Sequence, residues 1–331
     1  MKKVLFRADA HPSIGTGDLM SLIHLSEYFQ DSEWDINFMV KDFPAARQIL
    51  SQYNISNIEV IENHFSIADE VSVINRLIDK HHIDLIFFEI TEKKLSEYKG
   101  ISSSVYKACV SFDGSILPDM DLVVDWDVSA DQFFKPELYQ ETIFLLGPKY
   151  VILPVSFDRN MIEKREHQVF PKKLLVCMGG ADELNFTSKV VDVLIQNKIK
   201  METTVIVGHG YTCKDSLEKQ INKADFKCEI KQNVLNMFEE YMKCDVAVSA
   251  GGLTSYELIA TRTPAVLIAT YKHQIARCRY FNEKHWAIYL GFRSFETKKN
   301  IDAILKPPSI CLENIFNTRS IVDVCNDIIF S

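Results

Sequence analysis

The stretch Val246-Ala-Val-Ser-Ala-Gly-Gly-Leu-Thr-Ser-Tyr-Glu257 decides how this chain is read. An apolar run with strand character, Val246 to Val248, breaks at Gly251 and Gly252. A helix is expected from Thr254 or Ser255, with Glu257 in its first turn. Glycines at such a break leave the backbone N–H groups of a helix N-terminus open to an anionic ligand. Glu257 adds a carboxylate that can accept hydrogen bonds from sugar or ribose hydroxyls. Thr263-Pro264 and the apolar run Ala265 to Ile268 then read as the next strand. The unit reads as a nucleotide-sugar site in an α/β domain. The plain alternative is a strand–helix turn whose glycines serve packing alone.

Outward from that stretch the chain alternates strand and helix. Lys3 to Ala8 reads as a strand and Asp18 to Phe29 as a helix, with Leu19, Leu22, Ile23, Leu25 and Phe29 at helical spacing. Strands follow at 34–40, 58–61, 84–89, 108–112 and 122–124, with helices at 44–52 and 68–81. The pattern restarts with strands at 173–178, 203–207, 227–231, 245–249 and 265–269. Helices at 185–196, 213–223, 234–242 and 255–261 lie between them, and Ser320 to Phe330 reads as a last helix. Continuous apolar strands such as Asp84 to Glu89 belong to parallel sheets covered on both faces. The expected fold is α/β, with two Rossmann-like doubly wound domains facing a central cleft. The proline-bounded, charged stretch between about Leu153 and Pro171 is the expected linker, giving domains at 1–155 and 170–331.

Composition excludes several classes. The chain has 331 residues, 47% apolar and 25% charged, with a net charge of −8 and no basic stripe. A nucleic-acid partner is therefore not expected. No apolar run approaches the roughly 20 residues of a membrane span. Met1-Lys-Lys-Val-Leu-Phe-Arg-Ala-Asp9 reads as a first strand and not a signal peptide. The eight cysteines (109, 177, 213, 228, 244, 278, 311 and 325) form no C-x-x-C pair. Free thiols in a reducing cytoplasm are expected, with no zinc site or disulfide framework.

Three glycine turns follow strands: Ala10-His-Pro-Ser-Ile-Gly15-Thr-Gly17-Asp18, Met178-Gly179-Gly180-Ala-Asp182, and Gly251-Gly252. In open α/β sheets ligands bind where such turns lie, at the carboxyl ends of the strands. None completes G-x-G-x-x-G, and there is no Walker sequence, so a nicotinamide dinucleotide is not expected. The turns suit the phosphates of a diphosphate-linked sugar, and no cofactor is implied.

At this point the chain resembles a family. Phe6-Arg7-Ala8-Asp9 with Ile14-Gly15-Thr16-Gly17 looks like the opening of pseudaminic-acid-pathway UDP-sugar hydrolases and related spore-coat polysaccharide proteins. Matching stretches follow in the same order: Leu145 to Leu153 with Phe157, Met178 to Asp182 with Asn185 and Thr187, and Asn233 with Asn236-Met237. Ser249 to Thr254 with Glu257, then Pro264 and Gln274, complete the resemblance. It implies a GT-B fold similar to the N-acetylglucosaminyltransferase of peptidoglycan precursor synthesis. It also implies that Glu257 contacts the nucleotide ribose, that Gly251, Gly252, Leu253 and Thr254 cradle the diphosphate, and that Gln274 touches sugar or nucleotide.

The departures fall on the reacting side. The family's first loop has Gly-His and an arginine three residues on; here Gly17-Asp18 and Ser21 stand there. The middle strand of the first half runs into Glu89-Ile-Thr-Glu92. The family's late Asp-Gly-x-Gly stretch is replaced by Asn317-Thr-Arg319-Ser. Asp18 is a candidate general base, or simply a helix cap. His11 can replace the missing histidine or be a turn residue. Glu89, at the end of a buried strand, needs a partner or a ligand. His273, beside Gln274, is a candidate lining residue. Asp119-Met-Asp121 and Asp125-Trp-Asp127 have metal-binding spacing, but no metal is expected, and His81-His82 reads as a helix end.

The leading expectation is an inverting, GT-B-type transferase that moves a sugar from a UDP- or CMP-linked donor to a glycan or small-molecule acceptor. The alternatives are a UDP-linked diacetamido-trideoxy-sugar hydrolase and a non-catalytic sugar-nucleotide-binding protein.

Overall fold

The computed structural model describes residues 1–331 except 11–15, 31–33, 91–94, 113, 118, 158, 167, 209, 296–297, 308–315 and 331. His11 and Gly15 therefore lie outside the described residues. The chain divides into two compact units, Met1–Val155 with Ile315–Ser331, and Ser156–Asn314.

The first unit contains β1 (Lys3–Ala8), α1 (Gly17–Gln30), β2 (Asp35–Lys41), α2 (Pro44–Gln52), β3 (Ile58–Ile61), α3 (Ile67–His81), β4 (Leu85–Glu89), β5 (Tyr106–Val110), β6 (Leu122–Asp125) and β7 (Ile143–Leu146). The second contains α4 (Arg159–Glu163), β8 (Lys173–Cys177), α5 (Phe186–Gln196), β9 (Glu202–Val207), α6 (Lys214–Ile221), β10 (Cys228–Gln232), α7 (Met237–Lys243), β11 (Val246–Ala250), α8 (Leu253–Ala260), β12 (Ala265–Ala269), α9 (Gln274–Glu283), β13 (Ile288–Phe292) and α10 (Lys298–Leu305). The last helix, α11 (Arg319–Phe330), returns to the first unit.

The first sheet runs β3-β2-β1-β4-β5-β6-β7 and the second β10-β9-β8-β11-β12-β13, with every strand pair parallel. In each sheet the chain steps outward from its first strand, then restarts on that strand's other side. The order therefore reverses between β1 and β4, and again between β8 and β11. Such switch points open a crevice at the carboxyl ends of the strands, where doubly wound folds hold ligands.

The central strands are apolar because both faces are covered. On one face of the first sheet, Phe6 meets Phe29 of α1 edge-on at 5.5 Å, stacks on Phe38 at 5.2 Å and lies 6.1 Å from Phe87. All four rings are fully buried. Each contributes roughly 1.5–3 kcal/mol by leaving water, which fixes α1 over the β1–β4 pair. On the other face α3 starts with a capping box. Ser66 Oγ accepts from Asp69 N, and Asp69 Oδ2 accepts from Ser66 N at 3.0 Å. It ends at His81, with His82 in the left-handed region, so this histidine pair closes the helix.

Helix α11 explains why the second unit stops at Asn314 and not at 331. It buries Ile321, Val322 and Cys325. Trp34 Nε1 donates to Asn326 Oδ1 at 2.9 Å, and Arg319 donates to the Tyr28 carbonyl at 3.1 Å. The expected linker is also pinned. Arg165 donates to the carbonyls of Tyr241, Thr261 and Cys244 and to Thr263 Oγ1. One guanidinium thereby satisfies carbonyls at the ends of both α7 and α8. Some element limits differ from expectation. Helix α7 starts at Met237 because the Asn236 side chain accepts from Glu239 N. Helix α8 starts one residue early, at Leu253.

Candidate functional site

At the switch point of the second sheet, β8 runs into Met178–Asp182 and β11 into Gly251–Thr254. A pocket of about 200 Å³ lies between these turns. It is lined by Met178 to Asp182, Leu184, Ala250, Gly252, Thr270, Tyr271 and Gln274. The volume is below the roughly 300–1,000 Å³ of a whole small-molecule site, so it has room for only part of a ligand of that size.

The glycines here answer to different constraints. Gly179 has φ +101°, which a side chain would strain. A Cβ on Gly251 would stand 2.5 Å from Cys278 Sγ. A Cβ on Gly180 or Gly252 would meet nothing within 4 Å, and neither residue has a positive φ. Neither backbone conformation nor packing demands glycine at those two positions; the space above them is open. Gly252 is also the N-cap residue of α8, and as glycine it brings no side chain to cap that helix start.

Gln274 is oriented by its neighbours. Its Oε1 accepts from Thr270 N at 2.9 Å, Thr270 Oγ1 at 3.1 Å and Tyr271 N at 3.4 Å. Two of those donors are backbone N–H groups, so the carbonyl end is fixed. The amide nitrogen bonds to no described residue and is left for the pocket as a donor. Asp182 lines the pocket, but its carboxylate serves α5: Oδ1 accepts from Phe186 N at 2.9 Å and Oδ2 from Thr187 N at 2.7 Å. Burial raises its proton affinity, and those hydrogen bonds oppose the rise.

Glu257 is 8% exposed on α8. Its Oε2 accepts from Tyr241 Oη at 2.6 Å. Burial pushes its pKa up and the tyrosine bond holds it down. Leu253 and Thr254 form the first turn of α8, while His273 is exposed just before α9, its ring parallel to Tyr271 at 5.8 Å. His273 does not line the pocket. Arg277 donates to the Gly251 carbonyl at 2.8 Å and lies over the Tyr256 ring.

Sequence reading missed a supporting layer. After β9 the chain passes through Gly208 and Gly210. Gly210 N donates to the Gly180 carbonyl at 3.1 Å, and Tyr211 Oη donates to Asn185 Oδ1 at 2.7 Å. A Cβ on Gly208 would collide with Gly180 backbone. The visible signal was a second glycine pair directly after a strand. Tyr241 and Arg277 carried no such signal.

The switch point of the first sheet brings together Asp18, Ser21 and Glu89. Glu89 ends β4 opposite Ala8 of β1. Asp18 lies inside the first turn of α1, which begins at Gly17. Glu89 is 3% exposed, and among the described residues its Oε2 accepts no hydrogen bond; the Ser21 hydroxyl, 2% exposed, makes none with them either. Burial first, then the charge of Asp18, push the Glu89 pKa well above the carboxylate range, while nearby Ser21 opposes them.

Beneath β1's end, on the opposite face, lies a buried ionic cluster. Arg7 bonds Asp9 and Glu70, each at 2.8 Å, and Tyr98 Oη donates to Glu70 at 2.7 Å. Lys41 N donates to Asp9 Oδ1 at 2.8 Å. Burial alone lowers the Arg7 pKa, but Asp9 and Glu70 outweigh it and keep the guanidinium charged. The cluster fixes where β1 ends and hands over to the first loop.

The Asp-x-Asp pairs are used locally. Asp119 pairs with Lys107 Nζ at 2.8 Å, and Asp121 accepts from Lys107 N at 2.7 Å. Asp125 accepts from Asp127 N at 2.8 Å. Among the described residues, no three His, Cys, Asp or Glu side chains gather as a metal set, the seven described cysteines are free thiols, and no helix is long and apolar enough to cross a membrane.

Two doubly wound, parallel-sheet α/β units are the architecture of the GT-B class, and solved structures place the chain in that fold. It aligns with the UDP-GlcNAc 2-epimerase of Methanocaldococcus jannaschii at a TM-score of 0.65 and 11% identity, over 100% of both chains. It aligns with the S. aureus MnaA–UDP co-structure at 0.63 and 11%, over 100% of this chain and 96% of that one. By sequence it is 28% identical over 167 residues to an uncharacterized protein of Methanocaldococcus jannaschii, covering 47% of this chain and 33% of that one. It is 26% identical to the spore coat polysaccharide biosynthesis protein SpsG of Bacillus subtilis, over 65% of this chain and 64% of SpsG. It is 21% identical to the UDP-N-acetylglucosamine–N-acetylmuramyl-(pentapeptide) pyrophosphoryl-undecaprenol N-acetylglucosamine transferase of Campylobacter jejuni, over 78% of this chain and 72% of the transferase. The matches thus span a third of the first relative and less than two thirds of the second. No family model matches the sequence.

Proposed function

We propose that the chain is a sugar-nucleotide-dependent glycosyltransferase that moves a sugar from a UDP- or CMP-linked donor to a glycan or small-molecule acceptor, with inversion. The second unit is the nucleotide side and the first the acceptor side. The observation that carries this reading is the space above Gly180 and Gly252, which no described residue fills. It adjoins an uncapped helix start and the fixed amide donor of Gln274. A diphosphate accepts hydrogen bonds from both. Glu257, buried with one oxygen on Tyr241, offers its other oxygen to a ribose hydroxyl.

In the reaction the acceptor oxygen attacks the anomeric carbon from the face opposite the nucleotide. The bond to the phosphate oxygen breaks, and the electron pair leaves with the nucleotide. A carboxylate of the first unit takes the acceptor's proton. The cytoplasm, where sugar nucleotides are made and thiols stay reduced, is the proposed setting. Water attacking in place of the acceptor gives the hydrolase reading, favoured by the motifs shared with UDP-sugar hydrolases.

Gly252→Val tests the cradle. The new side chain meets open space, so stability should fall only by the roughly 1 kcal/mol that a branched residue costs at a helix N-cap. UDP affinity should fall at least about tenfold, since branched carbons then stand where phosphate would sit. A wild-type chain that binds neither UDP nor CMP, or a Gly252→Val variant that binds as the wild type does, removes the proposal. Free sugar released with water alone would favour the hydrolase; binding without turnover would favour a carrier.

A further inference from the structure

Glu89 and Ser21 pose a physical problem that the nucleotide side does not solve. Each holds a buried polar atom with no hydrogen-bond partner among the described residues. Such atoms cost stability and are rare unless a ligand completes them. The hydroxyl is close enough to act on the carboxyl, yet Ser21 Oγ and Glu89 Oε2 complete no hydrogen bond among the described residues. They stand at the switch point, where a ligand is expected.

We propose that Glu89 is the group that takes the proton of the attacking hydroxyl, with Asp18 beside it and Ser21 orienting it. This rests on the transferase reading and changes which carboxyl acts, because the sequence pattern pointed to Asp18. A solvated carboxylate is a poor base near neutrality. Glu89 is not solvated, and Asp18 places a second negative charge beside it.

The surroundings leave few other contributors. Ala8 of β1 and Val110 of β5 flank Glu89 in the sheet. Arg7 alternates to the other face, where Asp9 and Glu70 hold it. His24, one turn beyond Ser21 on α1, is kept neutral by burial and meets the edge of Tyr53. Among the described residues, Asp18 is the charged group that acts on Glu89. In the step itself the acceptor O–H bond breaks and its proton goes to the Glu89 carboxylate. The oxygen–anomeric carbon bond forms as the carbon–phosphate-oxygen bond breaks, and the nucleotide leaves with the electron pair.

The test combines two readouts on the whole chain: wild type, Glu89→Gln, Asp18→Asn, the double variant and Ser21→Ala. In the first, denaturant unfolding is followed from about pH 4 to pH 9. A carboxyl with raised folded proton affinity destabilises the fold progressively above its unfolded pKa of about 4.3. Wild type should therefore lose stability against Glu89→Gln as pH rises. Asp18→Asn should reduce that loss, and the double variant should follow Glu89→Gln. In the second, UDP release from UDP-N-acetylglucosamine should fall about 100- to 10,000-fold in Glu89→Gln with UDP binding unchanged. Asp18→Asn should stay active with its acid limb at lower pH, and Ser21→Ala should lose turnover with its limb at higher pH, because Ser21 opposes the rise of the Glu89 pKa. Parallel stability curves for wild type and Glu89→Gln overturn the assignment. So does a Glu89→Gln variant that turns over normally beside a dead Asp18→Asn, because the base is then Asp18. Failure of wild type to bind either UDP or CMP is a different result: it removes the transferase reading on which the assignment rests.

Discussion

Gly208→Ala should weaken nucleotide binding without altering any residue that lines the pocket. The added Cβ would stand 2.6 Å from Gly180 Cα, 2.9 Å from its carbonyl carbon, and against its oxygen. These are backbone atoms, so no rotamer change relieves the overlap. Restoring an ordinary contact of about 3.4 Å moves the two segments apart by roughly 0.8 Å. Overpacking of that kind costs about 1–3 kcal/mol, and in a protein of this size each kcal/mol lowers Tm by about 2–4 °C. The Gly210–Gly180 hydrogen bond that ties the same turn is stretched as well. A ligand phosphate held by that turn then loses one well-aligned, charge-assisted hydrogen bond, worth about 1.5–3 kcal/mol. The Kd for UDP should rise roughly 10- to 100-fold. Calorimetric titration well below the melting temperature reads this directly, with circular dichroism to establish folding. A folded variant whose UDP affinity stays within about twofold of wild type refutes the reasoning, because the turn would then not hold the ligand.

Other outcomes follow from the same geometry. His24 is buried with its pKa lowered to about 4 by desolvation. The unfolded chain takes up that proton first, so wild type should lose on the order of 3 kcal/mol between about pH 6.5 and pH 4. His24→Leu should lack this slope in denaturant unfolding, and parallel profiles would show the histidine is not the cause. Glu70→Gln leaves Arg7 buried and half-paired, so it should cost about 3–5 kcal/mol; a loss below about 1 kcal/mol would show that the cluster does not support β1. Tyr241→Phe removes the hydroxyl that holds the Glu257 pKa down. It should cost about 1–2 kcal/mol and move the acid-side loss of UDP affinity to higher pH; superimposable Kd–pH curves would exclude a role for that bond.

Much of the fold was legible because parallel strands covered on both faces leave unbroken apolar runs, as at Leu85 to Phe88 and Ala265 to Ala269. Helices such as α1 and α3 show their period for the same reason. The edges were not legible. Strand β7 is four residues long and half exposed, and β13 is interrupted by Gly291 at φ +123° and a register shift. Helix α9 buries Gln274 and Arg277 beside Cys278 and Phe281, so its inner face carries no apolar stripe. In the candidate site, glycine turns after strands were visible, and so was Glu89 as a charge ending an apolar strand. Hidden were the contacts that require three dimensions: Tyr241 on Glu257, Gly208 under Gly180, Arg277 on Gly251. Strand order is also absent from a linear pattern, and it is strand order that puts Glu89 beside β1. Asp182 shows a second role that the sequence hides, since a carboxylate that lines the pocket also caps α5 with both its oxygens.

The return of α11 to the first unit has a consequence for synthesis. The ribosome delivers a chain from its N-terminus, and domains usually fold in the order they emerge. Here Met1–Val155 emerges first but lacks the helix that covers Trp34 and α1. Ser156–Asn314 is contiguous and can complete its core while that face is still bare. The first unit to appear is thus the last to be finished. For the interval between, it exposes an apolar surface that a chaperone, or another nascent copy, can reach.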